Sequence, residues 1–317
     1  MLRYFILLVA LLFLPAAVGV RAQYDPSFSH YWAMPTAYNP AAVGKQEKIN
    51  VAAAYNMSMT GFKRNPHTMY VSGDLPFYAL GSYHGVGLQL VSDQLGLFSH
   101  NRLSLQYAWK HRLLGGTVSV GLQAGMLSEQ FDGSKLDLEE AGDPAFSSSS
   151  ITGSGVDLGA GVYYQRAFSR GSLYAGAAAL HLNQPTVNLG ETNELSIGAS
   201  YFLTAGGNIR LRNPFLSLQP SLFGRYDGAG YRADATCIVQ YEHEQRRLYA
   251  GLGYSPTNSV SVYIGGLFHG ITLGYSYEMY TSAITPANGS HELNVGYQTD
   301  LNLFKKGRNR HQSVRML

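Results

Sequence analysis

Apolar residues recur at every second position along most of the chain after about residue 47. Between Val118 and Met126 apolar residues alternate with small or polar ones, and residues 156–164, 271–277 and 293–298 repeat this alternation. A period of two gives a strand one apolar face and one polar face, because successive side chains point to opposite sides. The pattern predicts an all-β protein.

The polar face is poor in charge, which helps to decide between two architectures. Strands of a soluble sandwich bury the apolar face, and their wet face normally carries Lys and Glu. Strands of an outer-membrane barrel turn the apolar face to lipid and line the interior with small and polar residues. Residues 255–277 contain no charged residue but are rich in Gly and Ser. The pattern therefore favours a transmembrane outer-membrane β-barrel.

The alternating segments predict about 14 antiparallel strands, an even number as in bacterial barrels. Such barrels begin in the periplasm, so the connections after odd-numbered strands lie outside and are longer. The long connections 131–153, 183–193 and 282–289 fit this rule, whereas 205–214 and 228–230 do not. The predicted strands are 47–58, 66–75, 84–93, 100–111, 116–130, 154–166, 172–182, 194–204, 215–227, 231–242, 247–255, 259–268, 270–281 and 290–301.

The first residues have the features of a secretory signal peptide. A positive residue, Arg3, precedes an apolar run, and the small residues Val20 and Ala22 suit a cleavage site that leaves Gln23 first. The alternative, an uncleaved membrane anchor, needs a longer apolar run. The predicted divisions are a signal peptide at 1–22, an N-terminal motif segment at 23–46, the barrel at 47–303 and a basic tail at 304–317.

Composition agrees with an exported β-protein. The chain has 36 Gly, 23 Tyr and only 14% charged residues, which suits strands with aromatic side chains at an interface. Its 23 Lys and Arg, two of them in residues 1–22, nearly balance its 20 Asp and Glu, so charge gives no argument for a nucleic-acid partner. The single cysteine, Cys237, excludes a disulfide within the chain. Cys237 is in phase with Ala235 and Val239 and is predicted to face lipid.

Residues 25–44 differ from the rest of the chain. Four aromatic residues between Phe28 and Tyr38 stand among prolines and small polar residues, with neither helical nor strand period. If the first strand rises from the periplasm near Glu47, this irregular segment starts at the periplasmic mouth of the barrel. We expect it to lie across that mouth or to fold into the lumen and partly plug it. The alternative is simple packing against the first strand with frayed ends.

This segment also carries a family resemblance. Asp25-Pro26-Ser27-Phe28-Ser29-His30-Tyr31 and Tyr38-Asn39-Pro40-Ala41 resemble the opening signature of the PorP/SprF family of type IX secretion system outer-membrane proteins, Asp-Pro-x-Phe-Ser-Gln-Tyr and then Tyr-Asn-Pro-Ala. His30 stands where the family has Gln, and the basic tail is an addition. Further similar positions follow in order along the chain: Asp93 and Gly96, Asp143 to Phe146, Gly161 to Tyr164, Tyr174, Gly176, and Gly289 to Glu292.

The resemblance implies a non-enzymatic role in type IX secretion and gliding motility. It implies outer-membrane lipid around the barrel, a secreted surface adhesin outside, and periplasmic and motor components of the machinery inside. A passive channel or a transporter of small hydrophobic molecules is the alternative function. Because this signature also starts at the predicted periplasmic mouth, our hypothesis is that it forms part of a partner-binding site, at Asp25, Pro26, Phe28, Ser29, Tyr31, Tyr38, Asn39 and Pro40.

Residues with catalytic or metal-binding chemistry do not form a convincing site in the sequence. Ser290, His291 and Glu292 are adjacent, but neighbours on a strand point to opposite faces, so they are predicted not to form a triad. Residues 242–247 are predicted to be a solvated periplasmic turn, not a metal site. The acidic residues of the outer connections lack the spacing of a Ca²⁺ site, and no nucleotide-binding motif is present. We therefore predict no catalytic, cofactor or metal site.

The basic tail has two interpretations. It is either a solvated end or a periplasmic contact with the inner leaflet of the membrane or with an acidic partner.

Overall fold

The computed structural model describes residues 25–133, 150–190, 193–244, 246–256, 258–281 and 288–300. Fourteen antiparallel strands form a closed barrel, in which β1 pairs with the last strand from Lys48 opposite Asp300 to Met57 opposite His291. The predicted barrel is confirmed. Its strands are β1 Lys48–Met57, β2 His67–Ala79, β3 Ser82–Leu95, β4 Phe98–Leu113, β5 Gly116–Asp132, β6 Ser150–Phe168, β7 Gly171–Leu180, β10 Ser200–Arg210, β11 Leu216–Tyr226, β12 Tyr231–His243, β13 Arg246–Ser255, β14 Ser259–Phe268, β15 Ile271–Tyr280 and β16 Ser290–Asp300.

Two further strands, β8 Thr186–Leu189 and β9 Asn193–Ser196, form a separate hairpin. The hairpin corrects the prediction of the eighth barrel strand, which was placed at 194–204 and lies at 200–210. Val187 and Ile197 pack on Leu127 of β5, so this stretch alternates like a barrel strand without belonging to the barrel. The following inner connection is therefore short, at 211–215, and the apparent exception at 205–214 disappears.

Side chains alternate between the two faces of the wall as predicted. On β12 the side chains of Thr236, Ile238 and Gln240 are buried, while Cys237 and Val239 are exposed on the outer surface. The same alternation gives most strands an outer surface of large apolar side chains, as lipid requires. None of the helices in the described ranges is long and apolar enough to cross a membrane.

The strands differ in length, and the difference is concentrated on one side of the barrel. We name the end where β1 begins the inner end, and the opposite end the outer end. β6 has 19 residues and β7 only 10. β6 pairs with β5 out to Ser150 but with β7 only between Ala160 and Phe168. The outer half of β6 therefore extends beyond the outer end of β7.

Candidate functional site in the barrel lumen

Residues 25–44 occupy the barrel lumen, and we call them the plug. Asp25 lies beside Arg225 near the outer end of β11, whereas Gly44 hydrogen-bonds to Asp74 toward the inner end of β2. The plug therefore runs through much of the lumen, from its outer part toward the inner mouth. Of the eight residues predicted to bind a partner, seven are buried and Pro26 is half-buried: Asp25, Phe28, Ser29, Tyr31, Tyr38, Asn39 and Pro40.

Two proline-led turns keep the plug compact. The 3-10 turns Pro35–Ala37 and Pro40–Ala42 each start with proline, whose fixed φ suits the first position of a helical turn. Asn39 caps the second turn, because its side-chain oxygen accepts a hydrogen bond from the Ala41 N–H at 2.9 Å. The irregular sequence therefore folds into local turns that leave its remaining polar groups free to contact the barrel wall.

The outer end of the plug is held by charge. The Asp25 carboxylate lies 3.0 Å from Arg102 Nη1 and 3.2 Å from His181 Nε2. The other ring nitrogen of His181, Nδ1, is 2.7 Å from Asp157 Oδ1. Arg225 donates a hydrogen bond to Ser27 Oγ at 2.8 Å. Removing the Asp25 carboxylate would take away the buried negative charge that Arg102 and His181 both contact.

Both central groups of this outer anchor have shifted pKa values. Burial raises the pKa of Asp25, but the charges of His181 and Arg102 outweigh burial and hold that pKa well below its ordinary value of 3.8. Burial lowers the pKa of His181, but Asp25 and Asp157 outweigh it and raise that pKa to about 9. His181 is therefore protonated at neutral pH and donates from both ring nitrogens.

These shifts predict how plug docking depends on pH. The raised pKa of His181 gives stability that is fully present below its ordinary value of 6.5 and lost as the pH rises through about 9. Trp109→Phe leaves Trp32 in the plug as the single tryptophan reporter. We expect the urea midpoint of Trp32 emission to fall between pH 6.5 and pH 9. The same slope in a His181→Gln variant would contradict this assignment.

A second anchor joins the plug to the last strand. Glu292 of β16 accepts hydrogen bonds from the backbone N–H groups of Ser29 at 2.7 Å and His30 at 2.9 Å. The His30 ring contacts the same carboxylate through Nδ1 at 2.7 Å, and Asn56 Nδ2 donates to it at 3.0 Å. His30, the residue that departs from the family signature, therefore keeps a donor at this position.

Aromatic packing fills the middle of the lumen. The ring of Phe223 on the wall lies 5.0 Å from that of Tyr31 and 4.7 Å from that of Tyr38. Phe28 packs on Tyr70 of β2 at 5.6 Å, and its backbone N–H donates to the Tyr38 hydroxyl at 2.8 Å. These contacts belong to one buried apolar cluster. The aromatic residues of the signature are therefore its hydrophobic core.

Glycines in the wall make room for the plug backbone. A Cβ atom at Gly121 of β5 would lie 2.3 Å from the Ala41 nitrogen, and one at Gly161 of β6 would lie 2.2 Å from Asn39 Oδ1. Both distances are too short for real atoms. Gly161 is one of the positions that resembles the family, and its role is to admit Asn39, whose Nδ2 donates to the Val162 carbonyl oxygen at 2.9 Å.

Adding one methyl group at Gly121 is predicted to displace the plug without harming the barrel. Overpacking of this kind costs about 1–3 kcal/mol. We expect Gly121→Ala to expose the plug to chymotrypsin, measured by mass spectrometry of the folded barrel. The matched control is Gly73→Ala, since a Cβ atom at Gly73 has no neighbour closer than 3.9 Å. Equal cleavage of the two variants would show that Gly121 does not accommodate the plug.

A polar vestibule remains between the plug and the inner mouth. Its volume is about 650 Å³, and Trp32, Ala33 and Pro35 of the plug form part of its wall. Lys45, directly after the plug, places its ammonium group 4.7 Å from the ring centre of Tyr174. Charged and amide side chains complete the vestibule, among them Lys45, Asn50, Asp74, Arg210, Glu242 and Arg247.

Of the residues with catalytic or metal-binding chemistry that the sequence singles out, those described lie in the barrel wall and at an inner turn. Ser290 and Glu292 are buried and point inward, whereas His291 lies on the other face with Nδ1 2.7 Å from the Tyr275 hydroxyl. They form no triad, as predicted. Glu242 is exposed and pairs with Arg247 at 3.0 Å. In the described part of the chain, no group of three His, Cys, Asp or Glu residues could hold a metal ion.

Several predictions lie outside the described residues. They are the signal peptide at 1–22, the family-like residues 143–146, the basic tail at 304–317, and the outer-loop acids Asp137, Glu139, Glu140 and Asp143. Two other acids of the outer connections are described, and Asp93 of β3 accepts a hydrogen bond from Thr68 Oγ1 at 2.5 Å.

Sequence reasoning missed the wall residues that hold the plug, chiefly Arg102, His181, Arg225 and Glu292. One signal was present, because Asp157 is a rare charge on the polar face of a strand. An inward charge is either solvated in an open lumen or paired with a group inside it, and Asp157 fits the second case because it contacts His181.

No curated protein matches this chain. Among solved structures, it is similar to the Pseudomonas putida toluene transporter TodX, with 11% identity, 89% of this chain and 96% of that chain covered, and a TM-score of 0.49. A Pseudomonas aeruginosa FadL homologue is 11% identical, with 83% and 92% covered and a TM-score of 0.48.

The family comparison covers most of the chain. Residues 20–297 match PorP/SprF, the type IX secretion system membrane protein family. That span includes the whole plug and every barrel strand except the last residues of β16. The outer-membrane barrel fold and the family agree, and the chain belongs to the PorP/SprF family of type IX secretion system membrane proteins.

Proposed function

We propose that this protein is a non-enzymatic outer-membrane component of the type IX secretion and gliding-motility machinery, which anchors surface adhesins or assists their export and contacts periplasmic machinery. It reaches the outer membrane with a cleaved signal peptide. The observation that carries the proposal is the plug. The family signature forms a packed core inside the barrel. The barrel is therefore a closed structure that can bind a partner at each end, and not an open channel.

The inner end suits a periplasmic partner. The vestibule is open toward the inner mouth and offers charges of both signs, with Lys45 and Arg247 near Asp74 and Glu242. Trp32, half-buried, gives it an aromatic surface. The eight signature residues do not form this surface themselves. They keep it in position, because their contacts hold the plug in the lumen. We propose that a component of the periplasmic or motor assembly docks here.

The outer end suits the exported protein. The outer half of β6 extends beyond β7, and the hairpin of β8 and β9 packs on the lumen side of β5 and β6. A rigid, lipid-anchored surface of this kind is a suitable holder for a large adhesin.

Deletion of the gene tests the proposal. We expect loss of surface adhesin and of gliding, measured by protease shaving of intact cells and by microscopy, with both restored by the full-length gene. Pull-down from detergent-solubilised outer membrane is expected to recover a periplasmic component of the machinery together with an adhesin. Unchanged adhesin display and unchanged secretion in the deletion strain would reject the proposal.

The alternative is a passive channel or a transporter of small hydrophobic molecules. A packed plug opposes free passage, so conductance of the intact protein in planar bilayers discriminates between the two functions. Clear channel steps from the full chain would favour the alternative.

A further inference from the structure

The outer half of β6 has an open backbone edge. β5 pairs with β6 over its outer half, from Gly159 to Ser150, but β7 begins to pair only at Ala160. In the ranges that the structure describes, no strand lies against the other edge of residues 150–159. Unpaired strand edges are templates for another strand, and proteins normally cover or blunt them.

Nearby hydrogen bonds show which groups point to the open side. Leu158 donates its N–H to Asn183 Oδ1 at 3.0 Å and accepts from the Leu182 N–H at 2.9 Å. Asn183 Nδ2 also donates to the Val156 carbonyl oxygen at 2.6 Å. Asn183 thus takes the place of a partner strand for Leu158 and for the Val156 carbonyl oxygen. The register with β5 is continuous from Leu158 to Ser150. Every second residue before Leu158, namely Val156, Ser154 and Thr152, therefore also points its N–H and C=O groups away from β5.

Ser154 and Thr152 are therefore the exposed part of the edge. Their N–H and C=O groups, together with the Val156 N–H, have no hydrogen-bond partner among the described residues. Both side chains are exposed. These groups lie beyond the outer end of β7.

The edge lacks the usual protection against pairing. Residues 150–156 read Ser-Ile-Thr-Gly-Ser-Gly-Val, with no Lys, no Pro and no charge. Their register with β5 contains no bulge. Natural edge strands that must stay unpaired normally carry such devices. On the lumen side of β6 the β8–β9 hairpin already fills the space, since the Asn188 carbonyl oxygen would lie 2.2 Å from a Cβ atom at Gly153.

We propose that residues 150–156 bind an extended, uncharged segment of the exported surface protein, which adds to the edge of β6 as a further β-strand. Main-chain hydrogen bonds supply the affinity in this binding mode. Because the lumen side of β6 is crowded by the hairpin, the added strand can carry only small side chains on its lumen-facing side. This inference rests on the proposed function, because the exported protein is the partner expected at the outer end.

Proline at position 154 tests the edge directly. Ser154→Pro removes an N–H that points away from β5, so the barrel ladder keeps all its bonds. Ser154→Ala is the matched control, since it removes the hydroxyl and keeps the N–H. We expect retention of the surface protein on washed cells to fall about fivefold in Ser154→Pro relative to Ser154→Ala, the factor for one lost hydrogen bond. Heat-modifiable migration on gels verifies that both barrels are folded.

Three results separate the possibilities. If gene deletion abolishes retention while the proline and alanine variants are equal, the inference fails and the proposed function stands. If deletion itself changes nothing, the proposed function fails. A photo-crosslinking amino acid in place of Thr152 identifies the neighbour by mass spectrometry. An adduct with a type IX-exported protein is expected, whereas an adduct within this chain or with a second copy would overturn the inference.

Discussion

Replacing Glu292 by alanine is expected to release the plug from a barrel that stays folded. The carboxylate accepts bonds from two backbone N–H groups of the plug, from the His30 ring and from Asn56. Removing the acceptor leaves these donors buried and unpaired. Breaking a buried pair by deleting one partner costs about 3–5 kcal/mol. No other single side chain of the wall accepts two backbone bonds from the plug among the described residues.

The measurement is chymotrypsin cleavage of the plug, whose aromatic residues are substrates only when it undocks. Cleavage tracks the population of the open form, so we expect the rate to rise by roughly 100-fold or more. Glu242→Ala is the matched control. Glu242 is exposed, pairs with Arg247 at the inner turn and accepts a hydrogen bond from Gln240 Nε2 at 3.3 Å, and surface contacts of this kind contribute little. A Glu292→Ala plug as resistant as that of the control would show that the aromatic core alone holds the segment.

The wall of the barrel was predictable because its signal is local. Alternation of apolar and polar residues is set within each strand, and 13 of the 14 barrel strands lie close to their predicted spans. The eighth strand was misplaced because Glu194 and Leu195 also alternate, in a hairpin that packs against the lumen side of β5 and β6. A period of two identifies a strand but does not identify the sheet to which it belongs.

The interior of the plug was less predictable because its contacts are distant in sequence. His30 meets Glu292 across 262 residues, and Asn39 meets the Val162 carbonyl across 123. Gly161 looks like any other small residue on a polar face until Asn39 is placed against it. Inward Ser, Gln and Glu residues are numerous along the strands, and no local rule distinguishes those that contact the plug.

Deleting residues 25–44 is expected to convert a closed barrel into an open one. The plug supplies the aromatic core of the lumen, and without Phe28, Tyr31 and Tyr38 the wall is lined mainly by Gly, Ser and polar side chains. Barrels wider than about 8 strands have room for a lumen that side chains from the wall do not fill. We expect discrete conductance steps in planar bilayers for the deleted chain and none for the full chain.

Adding the plug back supplies the control. A synthetic peptide of residues 25–44, added on the inner side, is expected to suppress the steps, whereas a scrambled peptide of the same composition is not. The wall retains Arg102, Arg225 and Glu292, which bind Asp25, Ser27 and the backbone of Ser29 in the intact protein. If the deleted barrel is folded but silent, another part of the chain closes the lumen. The plug would then serve to shape the vestibule and not to seal the pore.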